Sequence, residues 1–442
     1  MTVETTPAEP IGSEGTGSEG MESEGVVSAG VATNPPDAPW IARLWEARPF
    51  TVLLLSLLSG LIVASVLIVL SVPRARSAWG GFFSDPGHAF SATGDTLTRA
   101  FGALLSGSLL SPGAVSRAFE HPSVLSWSTV FTPVGNTIVA TVPLLLCGLG
   151  LSIAYRSGVF SIGAQSQLIS GGVLASWVGF SWPGLPLPLH VAAGLVAGMV
   201  GGALLGAVPA ILKILTGASE VIATIMLNYV MASLLVYLVS NTFFSQQRNT
   251  SPVGKLTVTS ATLPALFGTH VPIDAGLIVA VVGIVFVWAL MSKSRLGFEL
   301  ELFGASPGAA TTGGVSRKAT FILAFVLSGA VVGLAGGVEV LGTSRQLTST
   351  FGGSIGVLAI AVAFVGRNRP IGILFAALLY GILQTGGLNV QGATSISYQL
   401  TDIIEAVIVL FMVAPALVAE LYRLRRTRGG LRTINMSRGW GT

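Results

Sequence analysis

Thr51–Val72 reads TVLLLSLLSGLIVASVLIVLSV, with no charged residue in the run. A helix needs roughly 20 apolar residues to cross the hydrocarbon core of a bilayer, and this stretch supplies them. The rest of the chain extends the reading. Of its 442 residues, 51% are hydrophobic and only 10% are charged, against about 25% charged in a soluble domain. Such a surface cannot face water, so lipid is the expected solvent. The 56 glycines suit that setting, because membrane helices approach one another through small residues.

Apolar length and flanking breaks place about ten spans, near 50–72, 131–154, 161–180, 188–212, 220–242, 273–292, 319–341, 354–366, 370–388 and 401–419. The first is set apart by a long connection, 73–130, whose apolar patch FGALLSGSLL (101–110) reads as an interfacial or re-entrant helix. The 354–366 segment is short for a crossing and reads as a half-helix. The fold class is therefore all-α and polytopic, with spans 2–5 and 7–10 as two four-helix halves. Residues 1–40, with GSEGTGSEGMESEG (12–25), read as a disordered acidic tail rather than a secretory signal. Residues 41–420 form the membrane domain and 421–442 a basic tail.

The net charge of +4 does not point to nucleic acid, because the basic residues lie in short loops and the tail rather than on one stripe. With ten spans, the 23 Lys and Arg divide 16 to 7. The richer side holds both termini and the loops carrying Arg156, Lys213, Lys293, Arg295, Arg317, Lys318, Arg367 and Arg369. Basic residues are retained inside, so both termini are expected in the cytoplasm of a plasma-membrane protein. Arg74 and Arg76 run against that assignment.

The longest inner loop, 293–318, is KSRLGFELELFGASPGAATTGGVSRK. Leu296, Leu300 and Phe303 recur at helical spacing on one face. Such a helix either lies in the lipid interface or docks into a groove on a cytoplasmic partner.

No phosphate-binding G-x-x-x-x-G-K-[ST] and no H-E-x-x-H occurs. The four histidines (His88, His121, His190, His270) lack ligand spacing, and Cys147 is the only cysteine. Neither a catalytic centre nor a metal or cofactor is expected. An ion-coupled carrier is the rival reading, with Glu220, Glu339, Asp402 and Glu405 as candidate groups near span ends. A non-transporting scaffold is a third. Two interruptions mark a solute route: Gly158–Gln167 (GVFSIGAQSQ) and Phe351–Gly356 (FGGSIG). Both contain Phe followed by Ser-Ile-Gly and enter their spans from opposite faces, as an inverted repeat would. Asn136, Gln165, Gln167, Asn228 and Gln384 are the candidate polar ligands along that route. Each has an ordinary alternative as an interhelical hydrogen bond.

These segments resemble those of the nucleoside and simple-sugar permeases of ABC importers. GVFSIGAQSQ is similar to that family's N-I-G-A-E-G-Q, and Thr216–Tyr229 (TGASEVIATIMLNY) to its T-N-E-V-I-x-T-I-M-L-N-Y. Arg295–Val315 is similar to its cytoplasmic loop G-x-x-L-R-A-V-G-x-N-P-x-A-A, and Gly356–Gly372 (GVLAIAVAFVGRNRPIG) to its G-I-A-V-A-L-L-G-R-N-x-P-x-G. The resemblance covers roughly 130–415. It implies a cytoplasmic ATP-binding subunit, a second permease subunit (the same or different) and an extracytoplasmic solute-binding protein, with nucleosides as the solute and simple sugars second. It also implies that the 295–315 helix couples to the ATPase, through Arg295, Gly297, Phe298, Glu301, Gly304 and Pro307. Ser161, Gln165 and Ser166 stand where Asn, Glu and Gly are usual, and Glu301-Leu302 where Arg-Ala is usual. The reversed charge at Glu301 implies a partner of altered complementary charge.

Overall fold

The computed structural model describes residues 49–422, except 84, 122, 242, 247–251, 269–270, 395–397 and 415–420. The acidic tail, 1–40, and all but the first two residues of the basic tail, 421–442, lie outside the described residues. Named strands are absent from the described residues; a few isolated bridges, such as Val253 with Thr348, tie the loops.

Among the described residues fifteen α-helices follow in order. They are α1 (Pro49–Ser71), α2 (Pro73–Gly80), α3 (Pro86–Ser108), α4 (Pro112–Glu120), α5 (Val124–Arg156), α6 (Ala164–Ser181), α7 (Leu187–Thr216) and α8 (Glu220–Ser240). Then come α9 (Gly276–Lys293), α10 (Arg295–Ala305), α11 (Pro307–Thr312), α12 (Arg317–Val338), α13 (Ile355–Val365), α14 (Pro370–Thr394) and α15 (Tyr398–Val413). Among the described residues seven, α1, α5, α7, α8, α9, α12 and α14, are long and apolar enough to cross a membrane. Among the other expected crossings, α13 has only 11 residues, a rise of about 16 Å. It is a half-helix.

The patch 101–110 forms the end of a longer helix: it falls largely within the 23-residue helix α3, which is not among the helices long and apolar enough to cross a membrane. Asp95 and Arg99 dilute the apolar signal of the first half, so hydropathy catches only the end. The helix lies along α14 through small contacts: a Cβ on Gly386 would stand 2.7 Å from the Leu104 carbonyl oxygen. The N-terminus of α3 is set by Asp85, whose carboxylate accepts from the His88 amide at 3.1 Å, with Pro86 in the first turn.

The core is built around α5, whose residues Leu144–Ala154 are buried throughout. Beside it, α6, α7 and α12 meet through glycines. On α7, Gly198, Gly202 and Gly206 recur every four residues, facing Gly329 and Gly333 of α12. A Cβ on Gly202 would lie 2.0 Å from the Gly329 oxygen, and one on Gly333 would lie 2.2 Å from the Gly198 oxygen. The backbones therefore touch, close enough for Cα–H···O contacts, and no larger residue fits. Helix α12 ends in a π-turn, Glu339–Ser344.

Candidate functional site

The two sequence interruptions are breaks in the helical structure, and they meet. After α5 the chain turns at Gly158, whose φ of +70° suits glycine. It stays non-helical until α6 begins at Ala164. The second break turns at Gly352 and Gly353, with φ of +76° and +40°, just before α13. At the junction the Gly356 amide donates to Gln165 Oε1 at 2.9 Å. The approach requires glycine, since a Cβ on Gly356 would stand 2.4 Å from the Gln165 nitrogen. The orphan amides of two helix starts thus share one region, and a side-chain oxygen satisfies one of them.

Helix α8 braces the first break. Asn228 Oδ1 accepts from the Ser166 amide and Asn228 Nδ2 donates to the Ile162 carbonyl, both at 2.9 Å. Thr224, one turn earlier, accepts from the Ile162 amide at 3.4 Å. Asn228 therefore acts as a helix cap supplied from a neighbouring helix. Behind the break, the Tyr155 hydroxyl donates to the Ser161 carbonyl at 2.9 Å. Its ring stacks on Phe160 and Phe364, with centroids 5.5 and 5.0 Å away. Thr224, Tyr155 and Phe364 were missed in the sequence. Of these, only Thr224 carried a readable signal, its position four residues before Asn228.

Gln167 is buried, and its Oε1 has no hydrogen-bond partner among the described residues. Gln165 is half-buried. Gln165, Gln167 and Asn228 come together at the first break. Asn136, which is exposed, and Gln384, half-buried, stand apart from them on α5 and α14. Those two helices are joined beside them by Thr137 and Thr385, whose hydroxyls are 2.8 Å apart.

The inner loop folds as α10 and α11. Ser294 caps α10 by accepting from the Gly297 amide at 3.0 Å, and Ser306 caps α11 ahead of Pro307. The buried face of α10 is Gly297, Leu300 and Phe303. Leu296 does not join it, being 45% exposed: the helix touches α9 through Gly297, where a Cβ would lie 2.0 Å from the Leu290 oxygen. That close approach turns Leu296 outward, beside Phe298, which is 64% exposed. Gly304 presses on the first break, since a Cβ there would lie 2.3 Å from the Arg156 oxygen and 2.7 Å from the Gly158 nitrogen. Glu301 forms an ion pair with Arg156, so its reversed charge has a partner inside the chain. Arg295 pairs with Glu299 at 2.9 Å and remains open to solvent.

Residues 134–432 match the model of the branched-chain amino acid transport system / permease component family. The chain belongs to that permease family. It is 35% identical to a nucleoside ABC transporter permease protein of Lactococcus lactis, over 63% of this chain and 78% of that one. It is 34% identical to a guanosine ABC transporter permease protein of Bacillus subtilis, over 73% and 93%. With a ribose import permease protein of Escherichia coli it shares 27%, over 66% and 86%. No solved structure matches.

The permease is thus the membrane-spanning transport subunit of an ABC transporter, a multi-pass plasma-membrane protein. Family membership implies ATPase and binding-protein partners. Nothing in the relatives supports ion coupling, and two candidate acids are engaged locally. Glu220 pairs with Lys213 across the α7–α8 turn, and Glu339 accepts from the Ser344 hydroxyl at 2.8 Å. Among the described residues, no group of His, Cys, Asp and Glu could hold a metal ion.

Proposed function

We propose that the permease imports a nucleoside, using the ATP hydrolysed by a separate cytoplasmic subunit. The solute assignment rests on a narrow margin of similarity: 34–35% identity to a nucleoside and a guanosine permease, against 31% to a glucose permease and 27% to the ribose permease. Simple sugars remain the second reading for the same reason. The chain makes ten passes, with α6, α15 and the half-helix α13 together with the break before it completing the seven apolar helices, and both termini are cytoplasmic. The junction of the two Ser-Ile-Gly breaks supports two halves of inverted topology. A second permease subunit faces this one across the solute path, and a binding protein delivers solute from outside.

The contact of Gly304 with Gly158 carries the mechanism. Helix α10, with its exposed Arg295, Leu296 and Phe298, sits in the ATPase cleft, and Pro307 opens the second docking helix. Closure of the ATPase dimer moves α10. The Gly304 contact and the Arg156–Glu301 ion pair pass that motion to the break before α6, and the Gln165–Gly356 junction passes it to α13. The two breaks then shift together between outward- and inward-open arrangements. Gln165 is the polar side chain best placed to meet solute; Asn228 and Gln167 support the broken helix, and Asn136 and Gln384 line a separate polar seam. Uptake of labelled guanosine by cells carrying the full transporter tests the assignment. Competition by unlabelled nucleosides but not by ribose or glucose is expected; the reverse pattern would transfer the assignment to sugars.

A further inference from the structure

We propose that Tyr229, Ser233 and Tyr237 of α8 line the solute route, and that the Tyr229 ring stacks on the base of the passing nucleoside. The stacking role rests on the nucleoside reading above; the route does not. The three residues recur every four positions, so they form one stripe along the helix. All three are exposed, Tyr229 by 69% and Tyr237 by 63%. Among the described residues the hydroxyls of Tyr229 and Ser233 make no hydrogen bond.

Depth excludes an ordinary lipid-facing role. Helix α8 runs Glu220–Ser240 over 21 residues, so Tyr229 lies at its midpoint. Tyrosine suits the membrane–water boundary, where its hydroxyl stays wet. Tyr237, one turn from the helix end, fits there. Tyr229 does not, because a phenol and a serine hydroxyl in mid-membrane would meet hydrocarbon with nothing to bond. They belong against water or a polar solute. Helix α9 exposes only apolar residues at mid-helix, Val281, Val282, Val285 and Phe286, whereas α8 sets Tyr229 and Ser233 among Met226, Val230 and Leu234.

Position ties the stripe to the breaks. Asn228, the preceding residue, holds Ile162 and Ser166 with both ends of its amide. Tyr229 therefore stands on the helix that braces the moving break, and any shift of that break reaches it directly. A planar aromatic face suits a nucleobase, and hydroxyls at Ser233 and Tyr237 suit a ribose.

Cys147 is the only cysteine and is fully buried, so single-cysteine variants report cleanly. Tyr229→Cys, Ser233→Cys and, as a lipid-facing control, Val282→Cys are treated with a charged methanethiosulfonate in the assembled, transport-competent complex. Reaction at 229 and 233 but not at 282, slowed at 229 by guanosine, is expected. No reaction at 229 would overturn the proposal. Tyr229→Phe should keep the KM for guanosine, whereas Tyr229→Leu should raise it roughly ten-fold or more, the usual scale of losing a base–aromatic stack. An unchanged KM in Tyr229→Leu would remove the stacking role. Protection at 229 by ribose or glucose and not by guanosine would show that the nucleoside reading has failed, while leaving the stripe in the route.

Discussion

The Gly356 amide donates to Gln165 Oε1, and this one bond joins helix starts 191 residues apart in the sequence. Its two partners belong to the two breaks, so the junction couples whatever moves one break to the other. Gln165→Ala leaves a buried amide unsatisfied, at a cost of about 1–3 kcal/mol. Gln165→Glu restores an acceptor at the same reach. Thermal midpoints of the purified complex should fall for Ala and hold for Glu, with uptake lost only in Ala. Equal midpoints for all three would mean the bond contributes nothing.

The glycine contacts between α7 and α12 predict a sharp contrast. Gly202→Val drives a side chain onto a backbone oxygen, which cannot yield as a side chain can. The loss should exceed the roughly 1–3 kcal/mol of ordinary overpacking, and little folded protein should accumulate. Gly94 of α3 has nothing within 4 Å of its Cβ position. Gly94→Ala should be neutral or gain up to about 1 kcal/mol from helix propensity. Size-exclusion yield and thermal midpoint measure both.

The Arg156–Glu301 ion pair predicts a charge-swap result. The two side chains are 25% and 42% exposed, so stability should change little. Coupling should change more, because the pair spans α5 and α10. Arg156→Glu and Glu301→Arg alone should lower solute-stimulated ATP hydrolysis, and together they should recover it. A double variant as impaired as the worse single one would assign Glu301 to the ATPase instead.

Asp274 predicts a pH effect. It stands just outside α9, and burial pushes its carboxyl above the ordinary value, against the opposing pull of the Gly276 amide and the Arg345 charge. A carboxyl raised on folding holds its proton better folded than unfolded. Its stabilising share is therefore present below the unfolded value and is lost as pH rises through the folded one. Asp274→Asn keeps an acceptor for the Gly276 amide, now 2.9 Å away, and removes the titration. As pH rises above the ordinary carboxylate range, about 4, the wild-type midpoint should fall more steeply than that of the variant. Parallel curves would contradict the assignment.

Much of this was legible in the sequence because it is written in local pattern. Charge-free runs gave the long helices, and Gly-Val-Phe-Ser-Ile-Gly and Phe-Gly-Gly-Ser-Ile-Gly marked both breaks. What was not legible depends on partners far along the chain. Nothing in Gln165 announces Gly356, and nothing in Glu301 announces Arg156. The first half of α3 is not legible because Asp95 and Arg99 interrupt the apolar pattern. On α10 the apolar spacing includes Leu296, whereas packing selects Gly297, which has no hydrophobic signal yet lies closest to α9.

The central claim is that this permease moves solute only when an ATPase acts on its inner face. Proteoliposomes containing the permease, with and without its ATP-binding subunit and binding protein, test it most directly. Labelled guanosine should enter only when all components and internal ATP are present. Solute accumulation driven by a proton or sodium gradient, with the permease alone, would contradict the account.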